Sequence, residues 1–90
     1  GGDDNESTLT ENAVKIFPNP ANAVVTVQAN EEGLKLEGIE VLDITGKVVY
    51  STQSINGTEA KIDVNSWSSG MYIVRISTSN GVGIQKLSVR

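Results

Sequence analysis

The chain has 90 residues, contains neither cysteine nor histidine, and carries a formal net charge of −4. That length gives one small domain with a modest core, and without cysteine no disulfide or thiolate metal site helps it, so packing must supply the stability. The missing histidine removes the commonest metal ligand and the commonest general base near neutral pH, and the charge balance offers no basic face for nucleic acid.

No apolar run approaches the roughly 20 residues needed to span a bilayer. The opening GGDDNESTLTEN has neither the basic start nor the apolar stretch of a signal peptide, so any export must be specified by something else or by a larger precursor. Asp3, Asp4, Glu6 and Glu11 stand in these first twelve residues without a cation, which leaves residues 13–90 neutral overall. With one leucine among polar residues, residues 1–12 cannot bury enough surface to offset ordering entropy and read as an acidic flexible linker. It is either a plain disordered terminus or a tether to something upstream.

From Val14 onward the pattern has period two, is rich in Val and Ile, and is broken by turn residues at short intervals, the signature of an all-β sandwich or barrel. It predicts strands over 14–17, 23–29, 38–43, 47–52, 59–64, 70–78 and 82–89. That count points to an Ig-like antiparallel β-sandwich of about seven strands filling residues 13–90. Pro18 and Pro20, the chain's two prolines, flank Asn19 in IFPNPA. Lacking backbone donors and biasing their predecessors toward extended geometry, they predict a rigid edge segment where linker becomes domain, anchored by Ile16 or Phe17.

Farther along, the Leu34/Leu36 spacing in EEGLKLEG suits a strand or loop better than a helix. DITGK predicts a type I turn with Asp43 first and Gly46 completing a bulged hairpin. Asn56-Gly57 and Asn80-Gly81 predict two more turns, the second a tight hairpin using positive φ. Asn5-Glu6-Ser7 and Asn56-Gly57-Thr58 match the glycosylation sequon, a short pattern common by chance. In GMYIVRIST, Tyr72, Val74 and Ile76 share a core face. Met71 and Ile73 make the other face partly apolar, as in a central strand with something packed above it. In the last strand Val82 and Ile84 are out of phase with Leu87 and Val89, and a β-bulge near Gln85-Lys86 would return all four to the core.

Catalysis has little to work with. Glu31, Glu32, Glu37, Glu40, Asp43, Glu59 and Asp63 are scattered over turns and outward strand positions, with no acid pair in an apolar pocket. GGDDNES is the one dense oxygen-ligand cluster and lacks a flanking scaffold for calcium. No catalytic, cofactor or metal residue is nominated. Trp67 and Tyr72 could form a sugar-stacking platform, but NSWSSGMY at the start of a long strand fits corner duty better, with the tyrosine hydroxyl bonded to backbone upstream.

An acidic leader, FPNPA, VLDITGKVVY, WSSGMYIVRI and KLSV follow one another in an order that resembles the type A C-terminal sorting domain of the type IX secretion system (the Por secretion system of Bacteroidetes). The resemblance covers Val14 to Arg90. By position, Pro18, Asn19 and Pro20 are similar to the family's opening motif, and Asp43, Gly46 and Lys47 to its Asp-x-x-Gly-Lys hairpin. Gly70 and Tyr72 match its Leu-x-x-Gly-x-Tyr motif, and Lys86, Leu87 and Val89 its basic-apolar last strand. Trp67 replaces the family's leucine, and Ser88 interrupts an end that is often fully apolar.

The resemblance implies a non-enzymatic targeting module without cofactors, recognised by outer-membrane type IX machinery after its precursor reaches the periplasm. A cell-surface sortase of the cysteine-protease type then cuts upstream of it, leaving a cargo that is secreted or held at the cell surface. From the residues themselves, a last strand with an open edge could pair with a receptor by strand addition, and leaves room for a strand-swapped homodimer in isolation. Two rivals stand beside this reading: an Ig- or fibronectin-like structural spacer, and a carbohydrate-binding module, which requires an exposed Trp67.

Overall fold

The computed structural model describes residues 13–53, 55 and 57–90. The expectations for residues 1–12, for both sequon asparagines and for the Asn56 half of its turn lie outside them. Seven strands form: β1 (Val14–Phe17), β2 (Val24–Ala29), β3 (Leu36–Asp43), β4 (Val48–Thr52), β5 (Glu59–Asp63), β6 (Gly70–Thr78) and β7 (Gly81–Val89). Each lies within two residues of its predicted span. They make two antiparallel sheets, β1-β2-β5 and β4-β3-β6-β7, packed as an Ig-like sandwich.

The period-two pattern becomes the core directly. Val25 and Val27 of β2, Ile39 and Val41 of β3, Ile62 of β5, Tyr72, Val74 and Ile76 of β6, and Leu87 and Val89 of β7 are all buried between the sheets. At ~25 cal/mol per Å² of apolar surface, this alternation is the main force holding the two layers together. Ile16 half-buries against the core while Phe17 stays exposed, so Ile16 is the anchor of the first strand.

The predicted bulge near Gln85-Lys86 is absent: β6 and β7 pair in unbroken register from Gly70↔Val89 to Thr78↔Gly81. Gly81, Gly83 and Gln85 therefore take the inward positions ahead of Leu87 and Val89, and Ile84 points outward, 63 % exposed. Gln85 uses its inward position for a polar contact, its Nε2 donating to the Val14 carbonyl of the facing sheet (3.1 Å). Register slips occur in β3 instead. One between Leu36 and Gly38 returns Leu36 to the core beside Ile39 and Val41. Another, opposite Val41 and Leu42, leaves Val49 as the extra residue of β4. Gly38 sits where a Cβ would come within 3.1 Å of the Thr52 carbonyl oxygen, which explains a glycine inside this central strand.

The last hairpin also turns differently from expectation. Its two-residue loop is Ser79-Asn80, and every positive φ among the described residues belongs to glycine, Gly81 included, so Asn80 does not supply one. The Thr78 hydroxyl closes the turn, donating to the Gly81 carbonyl (2.8 Å) and accepting from the Asn80 N–H (3.1 Å). Nor does anything pack above β6: among the described residues its outer face carries Met71, exposed, and Ile73, half-buried, with no further layer.

Candidate recognition surface

The four sequence motifs converge at one end of the four-stranded sheet. Asp43 of β3 stands beside Tyr72 of β6, and Tyr72 beside Leu87 of β7; two rows on, Gly70 stands beside Val89, and Val89 bridges to Ala21. Residues as far apart as 19 and 88 thus share one rim.

That rim closes through Asn19. Its side-chain Nδ2 donates to the Lys86 carbonyl (2.9 Å), and its Oδ1 accepts from the Ser88 N–H (2.9 Å). A carboxamide presents one donor and one acceptor side by side, as a peptide unit does, so Asn19 pairs with the strand as a backbone would. Two residues on, Ala21 takes over with its own backbone, donating to Ser88 (2.8 Å) and accepting from Arg90 (2.9 Å) in a parallel bridge. Pro18 and Pro20, both preceded by cis peptide bonds, flank the asparagine and stay exposed. Having no N–H, they leave no donor unpaired at this edge.

This corrects one expectation. The last strand does not end in an open edge along Lys86–Arg90, because Asn19 and Ala21 already occupy the Lys86 carbonyl, both Ser88 groups and the Arg90 N–H. Ser88, which interrupts the apolar pattern, fits once its position is known. It lies on the outer face between inward-facing Leu87 and Val89.

Asn19→Ala is expected to cost about 1–2 kcal/mol, since two hydrogen bonds near the surface are lost and water replaces them in part. Amide exchange at Ser88 should accelerate with it. Unchanged protection of that amide would contradict the pairing.

The second motif is a braced loop. Asp43 Oδ1 accepts from the Thr45 hydroxyl (2.6 Å), the Thr45 N–H (2.9 Å) and the Lys47 N–H (3.0 Å). Backbone bonds from Gly46 N–H to Asp43 O and from Asp43 N–H to Lys47 O complete the bulged hairpin, with Gly46 at φ +89°. The Thr45 hydroxyl bond, followed by the Lys47 amide, holds the Asp43 carboxyl below its ordinary range. A lowered folded-state value means that the brace is complete at neutral pH and is lost as pH falls through that value. Ile44 at the loop tip is 80 % exposed.

The third motif is a tyrosine corner. The Tyr72 hydroxyl donates to the Ser68 carbonyl (2.7 Å), tying the start of β6 to the loop before it. Trp67 lies half-buried, its ring centroid 5.1 Å from that of Tyr72 and 6.3 Å from that of Tyr50, both tilted by 48°. Its indole is part of the packing, and the sugar platform lacks the exposed ring it needs. An open groove of about 380 Å³ beside it is lined by Asp43, Ile44, Val49, Trp67 and Met71 among others.

Of the residues singled out from sequence, Tyr72, Leu87 and Val89 are buried, and Pro18, Asn19, Pro20, Gly46, Lys47, Gly70 and Lys86 are exposed. Sequence reasoning missed Ala21, Gln85 and Ser68, whose contributions are one backbone bridge, one cross-sheet amide contact and one carbonyl. A small apolar residue directly after Pro20 was the available hint.

Among solved structures, the chain is similar to an Ig-like β-sandwich protein of the DUF3244 family from Bacteroides vulgatus ATCC 8482. The TM-score is 0.61 at 15 % identity, covering 82 % of this chain and 83 % of that one. It is also similar to the sulfur carrier protein SoxY from Chlorobium limicola f thiosulfatophilum, with a TM-score of 0.51 at 14 % identity over 93 % and 81 % of the two chains. At such identities these likenesses concern the fold alone. No curated protein matches the chain. The family model described as the secretion system C-terminal sorting domain matches residues 15–90, taking in all four motifs. The chain belongs to the family of type IX secretion C-terminal sorting domains.

Proposed function

We propose that this domain directs an attached cargo across the outer membrane through the type IX secretion machinery, and that a cell-surface cysteine-protease-type sortase then removes it by cutting within residues 1–12. The cargo's route runs through the periplasm to the cell surface or beyond. Family membership supports the sorting role and a secreted or cell-surface protein. The observation that carries the reading further is the stitching of Asn19 and Ala21 to Lys86–Arg90, which gathers the opening and closing motifs into one surface.

In this reading the motif residues divide by burial. Tyr72, Leu87 and Val89 hold the rim in shape from beneath, while Pro18, Asn19, Pro20, Lys47 and Lys86 present it to the machinery. A structural spacer would need the first group and be indifferent to the second.

Lys86→Glu with Arg90→Glu separates the two readings, since both side chains are exposed and neither change touches the core. Surface substitutions of this kind leave stability within about 0.5 kcal/mol. With the melting curve unchanged, export of a fused reporter from a type IX-competent bacterium should fall sharply. Export at the unaltered level from the folded variant would favour the spacer.

A further inference from the structure

The four edges of this sandwich are not equally protected against strand pairing. Edge strands invite addition of another chain, and proteins blunt them with charges, prolines and bulges. In β1, Lys15 lies mid-strand and Pro18 ends it; β5 carries Glu59, Lys61 and Asp63; β4 is broken by the extra residue Val49. The second half of β7 has Lys86, Arg90 and the Asn19–Ala21 cap. The first half, Gly81–Gln85, has no charge, no proline and no bulge.

Alternation along the strand identifies the groups on offer. Lys86, Ser88 and Arg90 turn their backbone groups away from β6, since these meet Asn19 and Ala21. The register of β7 is continuous, so Val82 and Ile84 face the same way. Among the described residues, none bonds to their outward N–H and C=O groups. Their side chains lie on the outer face, Val82 half-buried and Ile84 63 % exposed, with exposed Lys86 at the end of the window.

We propose that Gly81–Gln85 is a docking edge that receives an extended strand of the secretion machinery, paired through the outward backbone groups of Val82 and Ile84. The incoming segment places apolar side chains beside Val82 and Ile84 and an acidic one beside Lys86. Backbone pairing supplies affinity and the alternate side chains supply selectivity, as in other strand additions. The Asn19 carboxamide sets the far limit of the window by occupying the next carbonyl, that of Lys86. The origin of the partner rests on the sorting reading; the availability of the edge does not.

Ile84→Pro tests this, because it deletes an outward N–H that takes no part in pairing with β6, the one kind of strand position where proline is tolerated. Ile84→Val keeps the donor and nearly all of the branched apolar side chain. In the reporter assay, Ile84→Pro should lower export about tenfold or more, the equivalent of one lost hydrogen bond with its unpaired partner, while Ile84→Val should stay within about twofold. Should the proline variant fail to fold, Ile84→Lys replaces it, since an edge lysine blocks addition without touching the ladder. Export of the folded Ile84→Pro or Ile84→Lys variant at the unaltered level overturns the proposal, as does equal failure of Ile84→Val. Failure of the unaltered domain to export would instead sink the sorting reading. Sedimentation of the isolated domain at high micromolar concentration should show a monomer; a dimer that Ile84→Pro abolishes would assign this edge to a second copy and overturn the assignment to a partner strand.

Discussion

Leu87→Ala is expected to destabilise the domain by about 2–5 kcal/mol, the range for truncating a fully buried leucine that leaves a cavity. The side chain is completely buried, and its strand neighbour across the sheet is Tyr72 of the corner. A domain of this size has about 4–12 kcal/mol of stability in all, so the loss is a large share of the total. Urea unfolding should show a much lower midpoint with an unchanged slope. A shift below about 0.5 kcal/mol, the level of a surface change, would mean that Leu87 is not in the core. Lost export in this variant would say nothing about recognition, because an unfolded signal and an unread one look alike. That is why the functional tests use Lys86, Arg90 and Ile84.

Tyr72→Ala should cost a similar about 3–5 kcal/mol, and comparison with Tyr72→Phe divides the effect. Phenylalanine keeps the ring against Trp67 and removes only the hydroxyl that bonds the Ser68 carbonyl. Ser68 is exposed, so its carbonyl regains water, and Tyr72→Phe should cost about 0.5–1.5 kcal/mol. The alanine variant should also red-shift Trp67 emission, since the indole loses its nearer aromatic neighbour. An unshifted emission, or equal losses for both variants, would contradict the corner as described.

Strand positions and most inward faces were legible because every strand except β4 buries residues on its inward face, so period two in the sequence maps onto the core wherever the parity holds. The Asp43 loop was equally legible, since a single side chain writes its own turn. Where the pattern slipped, the direction of the slip was not. The sequence around Gln85 and that around Glu37 both break parity, and only pairing with neighbouring strands decides which becomes a bulge and which turns an isoleucine outward. The Asn19 clamp was out of reach for a related reason. Proline chemistry marks an edge, but which edge it closes depends on a contact spanning 67 residues. Sequence order places IFPNPA at the start of the domain; the fold places it against the last strand, so the two motifs farthest apart are one feature.

Localisation of a fused reporter decides whether this domain is a sorting signal. Residues 1–90 are joined behind a signal peptide and a reporter and expressed in a bacterium with a working type IX system. The reporter is expected outside the outer membrane, freed of the domain by cleavage within residues 1–12, and export is expected to be lost when the secretion machinery is disabled. A reporter that stays in the periplasm, with the domain folded and still attached, would contradict the sorting reading.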